Sequence, residues 1–240
     1  MITLYQFEIS PFCDKIRRIL HVKGQPYEVR EVPVSQSFRS IAKVNPIGKL
    51  PCLDHDGHRV ADSTDIALYL EERFPQPPLY PADPKQRALC HVLEDWADES
   101  LYFYEMALRF TIPHNARRFI PSLVAHDPPW FRRIAAVVLP PLMRRVTRSQ
   151  GVGRKPRDML LRDLERHVRA VAGLLGEREW LVGERLTIAD IAVFAQLACI
   201  RQTDEGGKLV EGEPTAAAWL ARVDSASAPR PKFRRSGRDK

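Results

Sequence analysis

Apolar positions alternate and then change period along the first half of the chain. In "ITLYQFEI" the apolar residues Ile2 and Leu4 share one face, and Tyr5, Phe7 and Ile9 share the other. A strand apolar on both faces belongs inside a sheet covered by helices. From Ser10 the period becomes helical. Phe12, Ile16, Ile19 and Leu20 form one side, and Lys15, Arg17 and Arg18 are assigned to the other. Ser10 is an N-cap and Pro11 a first helical residue, so this helix runs to about Gly24. "PYEVREVPV" (26–34) reads as a second strand, and "SQSFRSIAKV" (35–44) as a short helix. "KLPCLDHDGHRVAD" (49–62) reads as two short strands around an Asp-Gly turn. "DSTDIALYLEERF" (62–74) is a helix with acidic and hydroxyl residues at its start. Strand, helix and strand in succession make a parallel, right-handed βαβ unit. The order β-α-β-α-β-β-α is the thioredoxin-like arrangement.

"PQPPLYPADP" (75–84) holds five prolines in ten residues, so it can be neither helix interior nor central strand. It is a linker. The remainder reads as helix, notably "KQRALCHVLEDWADESLYFYEMALRF" (85–110), "PRDMLLRDLERHVRAVAGLLGE" (156–177) and "TIADIAVFAQLACI" (187–200). Thr187 and Asp190 form a capping pair ahead of a helix apolar nearly all round, a feature of folding rather than chemistry. Between 110 and 157, Pro113, Pro121, Pro128, Pro129, Pro140 and Pro141 are expected to break the chain into short helices.

Composition narrows the class. The chain has 240 residues, is 44% apolar and carries a net charge of +7. Residues 1–80 balance ten basic against ten acidic side chains, whereas residues 109–169 carry fourteen basic and four acidic. The last seventeen residues, six basic and two acidic with little apolar content, read as a disordered tail. The arginines of 109–169 sit between apolar residues at helical spacing. They read as solvated faces, which disfavours nucleic acid as a partner. No apolar run reaches the ~18 residues of a membrane span. Four scattered cysteines offer neither a disulfide framework nor a zinc site, and no charged-then-apolar leader precedes Ile2. A reducing cytoplasm and a metal-free site are the expectation.

Four motifs carry a resemblance. They are "SPFC" (10–13), "NPIGKLPCL" (45–53), "ADSTDIALYLEERFP" (61–75) and "LVGERLTIADIAVFAQL" (181–197). In this order and at these separations they are similar to those of the soluble glutathione S-transferases. The resemblance implies a thioredoxin-like α/β N-terminal domain over 1–78, a linker over 79–84, an all-α C-terminal domain over 85–225 and a basic tail over 226–240. It implies glutathione as co-substrate, no metal, and a homodimer with a two-fold contact. It further implies a cis Leu50–Pro51 bond that leaves the Leu50 N–H and C=O to pair with the cysteinyl segment of glutathione. Lys49 would meet the glycyl carboxylate. Asp62 and Ser63, at a helix N-terminus, would meet the γ-glutamyl end. The family more often has Glu at the Asp62 position.

Ser10 is then the catalytic residue, as in the Ser-type, theta-like transferases. At a helix N-terminus a thiol pKa falls from ~8.5 toward ~4–7, and a donated hydroxyl hydrogen bond holds the thiolate further. The thiolate attacks a small electrophile, a chemistry of detoxification. Tyr5 is an alternative thiol partner within strand one. Cys13 is the second cysteine of a C-P-Y-C glutaredoxin pattern whose first position holds Ser10, so a glutathione-dependent thiol–disulfide reductase using Cys13 is a competing reading. A non-catalytic interaction module with the same fold is another. The electrophile pocket is assigned to Tyr102, Met106, Arg109 and Phe110, with the basic 110–157 segment covering it and its arginines favouring an anionic co-substrate.

Overall fold

Ile2–Gln6 forms β1, with Ile2 and Leu4 buried, and Tyr27–Glu31 forms β2. The two are parallel, with Ile2 opposite Tyr27. Cys52–His55 (β3) lies antiparallel to β1, with Leu4 opposite Leu53, and pairs with His58–Ala61 (β4). The sheet order is β2-β1-β3-β4. The tight β3–β4 turn puts Asp56 and Gly57 at φ 52° and 89°, the left-handed conformation a two-residue hairpin needs. This computed structural model describes residues 1–36, 45 and 47–229. The short helix expected over 35–44 lies largely outside them, and only a 3-10 turn over Val34–Gln36 is seen.

Pro11–Val22 (α1) and Ser63–Arg73 (α2) pack against each other beside the sheet. Ile16, Ile19 and Leu20 of α1 enter the core as expected. Lys15 and Arg18 do not lie on a solvated side: Lys15 is 0% exposed and Arg18 is 7% exposed. Both face the helical half of the chain, where acidic side chains receive them. A helix packed on two sides has no free face for cations, and burial of a cation requires such partners.

The helical half follows the linker. Pro84–Trp96 (α3), a π-helical turn over Ala97–Leu101 and Tyr102–Thr111 (α4) make one continuous rod, much as the pattern of 85–110 indicates. Next come Pro113–Leu123 (α5) and Pro129–Gln150 (α6). The expected proline breaks do not occur at Pro121, Pro140 or Pro141, and α6 is a single helix of 22 residues. Pro140 and Pro141 leave the carbonyls of Ala136 and Val137 without a helical donor. Both of those residues are exposed, so water can take the donor's place.

Arg157–Leu175 (α7), Ile188–Arg201 (α8), Asp204–Glu211 (α9) and Pro214–Ser227 (α10) complete the bundle. The helix α8 is buried almost all round. Asp190 receives the N–H groups of Thr187 and Leu181 and the indole N–H of Trp219 at 2.8–3.0 Å. Residues 226 and 227, which the sequence assigns to the tail, belong to α10. Ser227 is fully buried and accepts a hydrogen bond from Arg18, whose guanidinium also pairs with Asp224. The tail from 230 onward lies outside the described residues.

One apolar core runs through both halves, from Ile2, Leu4 and Leu53 to Leu101, Ile191 and Trp219. A second cluster, including Phe110, Phe119 and Leu139, holds α4, α5 and α6 together. Among the described residues no helix is long and apolar enough to cross a membrane. Together the two halves make a thioredoxin-like sheet domain joined to a helical domain.

Candidate functional site

Three chain ends converge. The first is the start of α1, where Ser10 has extended backbone and its Oγ accepts the Cys13 N–H at 3.5 Å. The second is the entry to β3, where Leu50–Pro51 is cis. Asn45 braces that loop: its side chain donates to Lys49 O at 2.5 Å and accepts from Ile47 N at 2.8 Å. The third is the start of α2, where Asp62 at φ 74° caps the helix by accepting the Thr64 N–H at 2.9 Å. Ser63 follows it and is buried.

These ends form one wall of a cavity of about 930 Å³. Ser10, Lys49, Leu50, Pro51, Asp62 and Ser63 all lie on it. The π-helical turn and α4 form the facing wall, with Asp98, Glu99, Tyr102, Phe103 and Met106. Met143 and Val146 of α6 close one side, so part of the 110–157 segment does reach the cavity. Phe12 and Tyr102 meet across the join, edge to face, at 4.7 Å.

Arg109 and Phe110 do not line this cavity, contrary to their assignment as electrophile pocket. Arg109 is buried in an ion pair with Glu105, donates to Ile9 O at 3.1 Å and stacks 4.6 Å from the Phe119 ring. Phe110 is packed in the second apolar cluster. The aromatic run 102–110 turns through a full helix, so only its Tyr102, Phe103 and Met106 side faces the opening. Tyr5 is likewise off the wall. It packs with Phe7 beside Cys13, with the Arg30 guanidinium 5.8 Å from its ring.

Cys13 is fully enclosed with Val32, Leu50 and Cys52. Burial pushes its thiol up to about 11, and the Ser10 hydrogen bond and Arg17 offset this only in part. Burial also raises the Cys52 thiol. All four cysteines are buried thiols, and none forms a disulfide among the described residues.

An ionic group under the floor is absent from the sequence reading. Lys15 Nζ lies 2.7 Å from both Asp98 Oδ2 and Glu94 Oε1; the first contact is an aligned hydrogen bond, the second a charge contact. Burial works against the Lys15 charge, but Asp98 and Glu94 outweigh it and hold its pKa above the ordinary lysine value. Burial raises the Asp98 carboxyl, and Lys15 draws it only part of the way back. Ser63 donates to Asp98 Oδ2 at 3.4 Å. Asp98 lines the cavity, and its Oδ1 is buried with no hydrogen-bond partner among the described residues. The available sequence signal was Lys15 itself, one residue before an apolar position on a helix meant for a core.

The N-terminal model of glutathione S-transferases matches residues 4–78, and the C-terminal model matches residues 134–226. Protein LigF of Sphingobium sp. strain SYK-6 is 30% identical over 251 aligned positions, covering 99% of this chain and 95% of that one. The chain belongs to the glutathione S-transferase family.

Another relative in the family, glutathione S-transferase 1 of Dianthus caryophyllus, is 39% identical over 89 residues, a match that spans only 40% of that protein. The crystal structure of beta-etherase LigF superposes with a TM-score of 0.68 at 28% identity over 96% of both chains. A glutathione S-transferase from Methylobacterium radiotolerans, solved with glutathione sulfonate, superposes with a TM-score of 0.65 at 22% identity, covering 100% of this chain and 98% of that one. That last likeness shows the fold alone.

Proposed function

We propose that this chain binds glutathione in the 930 Å³ cavity and transfers it to a small electrophile held against α4. The observation that carries the reading is the gathering of Ser10, Leu50 and Ser63 on one wall opposite Tyr102 and Met106. The cysteinyl backbone of glutathione pairs with Leu50 as an added strand. The amides and hydroxyls at the start of α2 receive the γ-glutamyl carboxylate, and Lys49 receives the glycyl one. Asp62 accepts the ammonium, and the unpartnered Asp98 Oδ1 offers a second carboxylate beside Ser63.

Ser10 Oγ accepts from Cys13 N, which leaves the hydroxyl proton as a donor. Donated to the glutathione sulfur, that proton and the positive end of α1 hold the thiolate. The thiolate forms a carbon–sulfur bond, and the leaving group departs with its bonding electron pair. The whole-length match to LigF, a beta-etherase, favours an ether oxygen as that leaving group, which then takes up a proton. Cys13 thiol–disulfide exchange is disfavoured because its thiol is enclosed and held neutral well above physiological pH.

Titration calorimetry is the test. Glutathione should bind to the wild-type chain and far more weakly to Ser63→Ala; no heat at millimolar glutathione would end the assignment. The chain should also pair as a homodimer in the family's manner, with a scattering mass twice the 27.5 kDa of one chain. A mass of one chain at micromolar concentration would contradict that.

A further inference from the structure

The helix α6 carries two parallel rows of side chains spaced four residues apart. Phe131, Ala135, Leu139, Met143 and Thr147 face inward and are buried or half-buried. The neighbouring row is Trp130, Ile134, Val138, Leu142 and Val146, and every member is exposed. Trp130 is 60% exposed, and Val137, beside the row, is 75% exposed. Residues four apart on a helix lie one above another, so this is a continuous apolar ridge. A ridge of this kind on a protein surface marks a docking face.

Charge identifies what docks. Arg132 and Arg133 stand at one end of the ridge, and Arg144, Arg145 and Arg148 at the other. None of the five has an acidic partner among the described residues. No acidic side chain occurs between Asp127 and Asp158. Arg144, Arg145 and Arg148 join Arg154 around a shallow cup of about 490 Å³ beside Pro141 and Ser149. Two copies of the chain packed ridge to ridge, parallel or antiparallel, would set arginine against arginine at both ends. An acidic nucleic acid would satisfy the arginines but leave the apolar row in water. A surface of anionic headgroups over hydrocarbon satisfies both.

We infer that the exposed face of α6 docks on anionic phospholipid bilayers, with Trp130, Ile134, Val138 and Leu142 entering the headgroup–acyl boundary and the arginines taking headgroup phosphates. Met143 and Val146 also wall the cavity, so docking brings the cavity opening to the lipid surface.

The full-length chain is mixed with vesicles of phosphatidylcholine alone or of phosphatidylcholine with phosphatidylglycerol. Cosedimentation and tryptophan emission are read. It should sediment with the phosphatidylglycerol vesicles only, with a blue-shifted emission, and be released by salt. Arg144→Glu with Arg145→Glu should lower the partition by at least about thirtyfold, the loss of two cations alone accounting for that much. Ile134→Asp with Val138→Asp should abolish the emission shift. All four positions are exposed and off the cavity wall, so circular dichroism and glutathione binding should match wild type in both variants. Equal sedimentation with both vesicle types overturns the inference, as do variants that bind like wild type, since binding would then run through other basic segments. Tighter binding of an oligonucleotide duplex than of the vesicles also overturns it. So does a dimer that Ile134→Asp with Val138→Asp splits while vesicle binding persists.

Discussion

Ser10 opens onto the cavity while Cys13, one helical turn on, is wholly enclosed. That difference in surroundings separates two chemistries. Ser10→Ala should lower conjugation by about ten- to a hundred-fold, the equivalent of ~1.4–2.7 kcal/mol in the barrier. Its pH–rate profile should move up, because the glutathione thiol loses a donor that favours its charged form. Cys13→Ala should leave turnover nearly intact and cost some stability through a small void. Loss of turnover in Cys13→Ala alone, read by a halo-aromatic conjugation assay and a mixed-disulfide assay, would reverse the roles. The residues of this wall were legible through the resemblance to the glutathione S-transferases, whose motifs are short and local: a helix cap, an X-Pro pair and an Asp-Ser pair. Lys15, Asp98 and Arg109 were not, since their places depend on contacts between residues far apart in sequence: Lys15 meets Asp98 83 positions away, and Arg109 meets Ile9 100 positions away.

Periodicity located most elements but not their continuity. The pattern of 85–110 gives one rod and cannot show the π-helical turn at Ala97–Leu101 that brings Asp98 and Glu99 to the cavity. In α6 the prolines were read by their usual cost, which water can reduce because Ala136 and Val137, the residues whose carbonyls lose a donor, are exposed. Two elements carry predictions of their own. Asp190 gathers four hydrogen bonds, from Leu181 N, Thr187 N, Thr187 Oγ1 and Trp219 Nε1. Asp190→Ala leaves these donors unpaired in a dry core, and chemical denaturation should show a loss of about 3–5 kcal/mol. A wild-type midpoint would refute the role given to this cap. On α7, His167 lies 5.5 Å from the Trp96 ring and 5.1 Å from the Tyr104 ring. Burial, the larger effect, depresses its pKa below the ordinary 6.5, and Asp163 only partly opposes this. The unfolded chain therefore takes up this proton first as pH falls below 6.5. Stability from His167 is full above that pH and declines as the pH drops toward the folded value. His167→Phe should flatten the melting-temperature profile on the acid side of neutrality; an unchanged slope would show that other groups set it.

The two halves of the molecule share more than a linker. Lys15 is locked between Glu94 and Asp98, Arg18 reaches Asp224 and Ser227 and stacks 4.0 Å from the Phe194 ring, and Arg109 returns to Ile9 O. The main apolar core also crosses between them without a break. The proline-rich stretch shows the boundary in the sequence, but the strength of the joint could not be read there, because it is made by cations placed in the middle of an otherwise core-facing helix. Breaking a buried pair by removing one partner costs about 3–5 kcal/mol, since the other charge stays buried. The halves should therefore unfold as one unit. All four tryptophans, at 96, 130, 180 and 219, report on the helical half. In a chain with Cys90 and Cys199 replaced by alanine, the remaining thiols, Cys13 and Cys52, report on the sheet half, where both are buried. Tryptophan emission and thiol labelling should share one urea midpoint in that background. Lys15→Met with Arg18→Met should pull the two midpoints apart, the sheet half opening first because it has the smaller core. Separate midpoints before those changes would mean that the cations of α1 do not couple the halves, and that the shared core alone is too weak to do so.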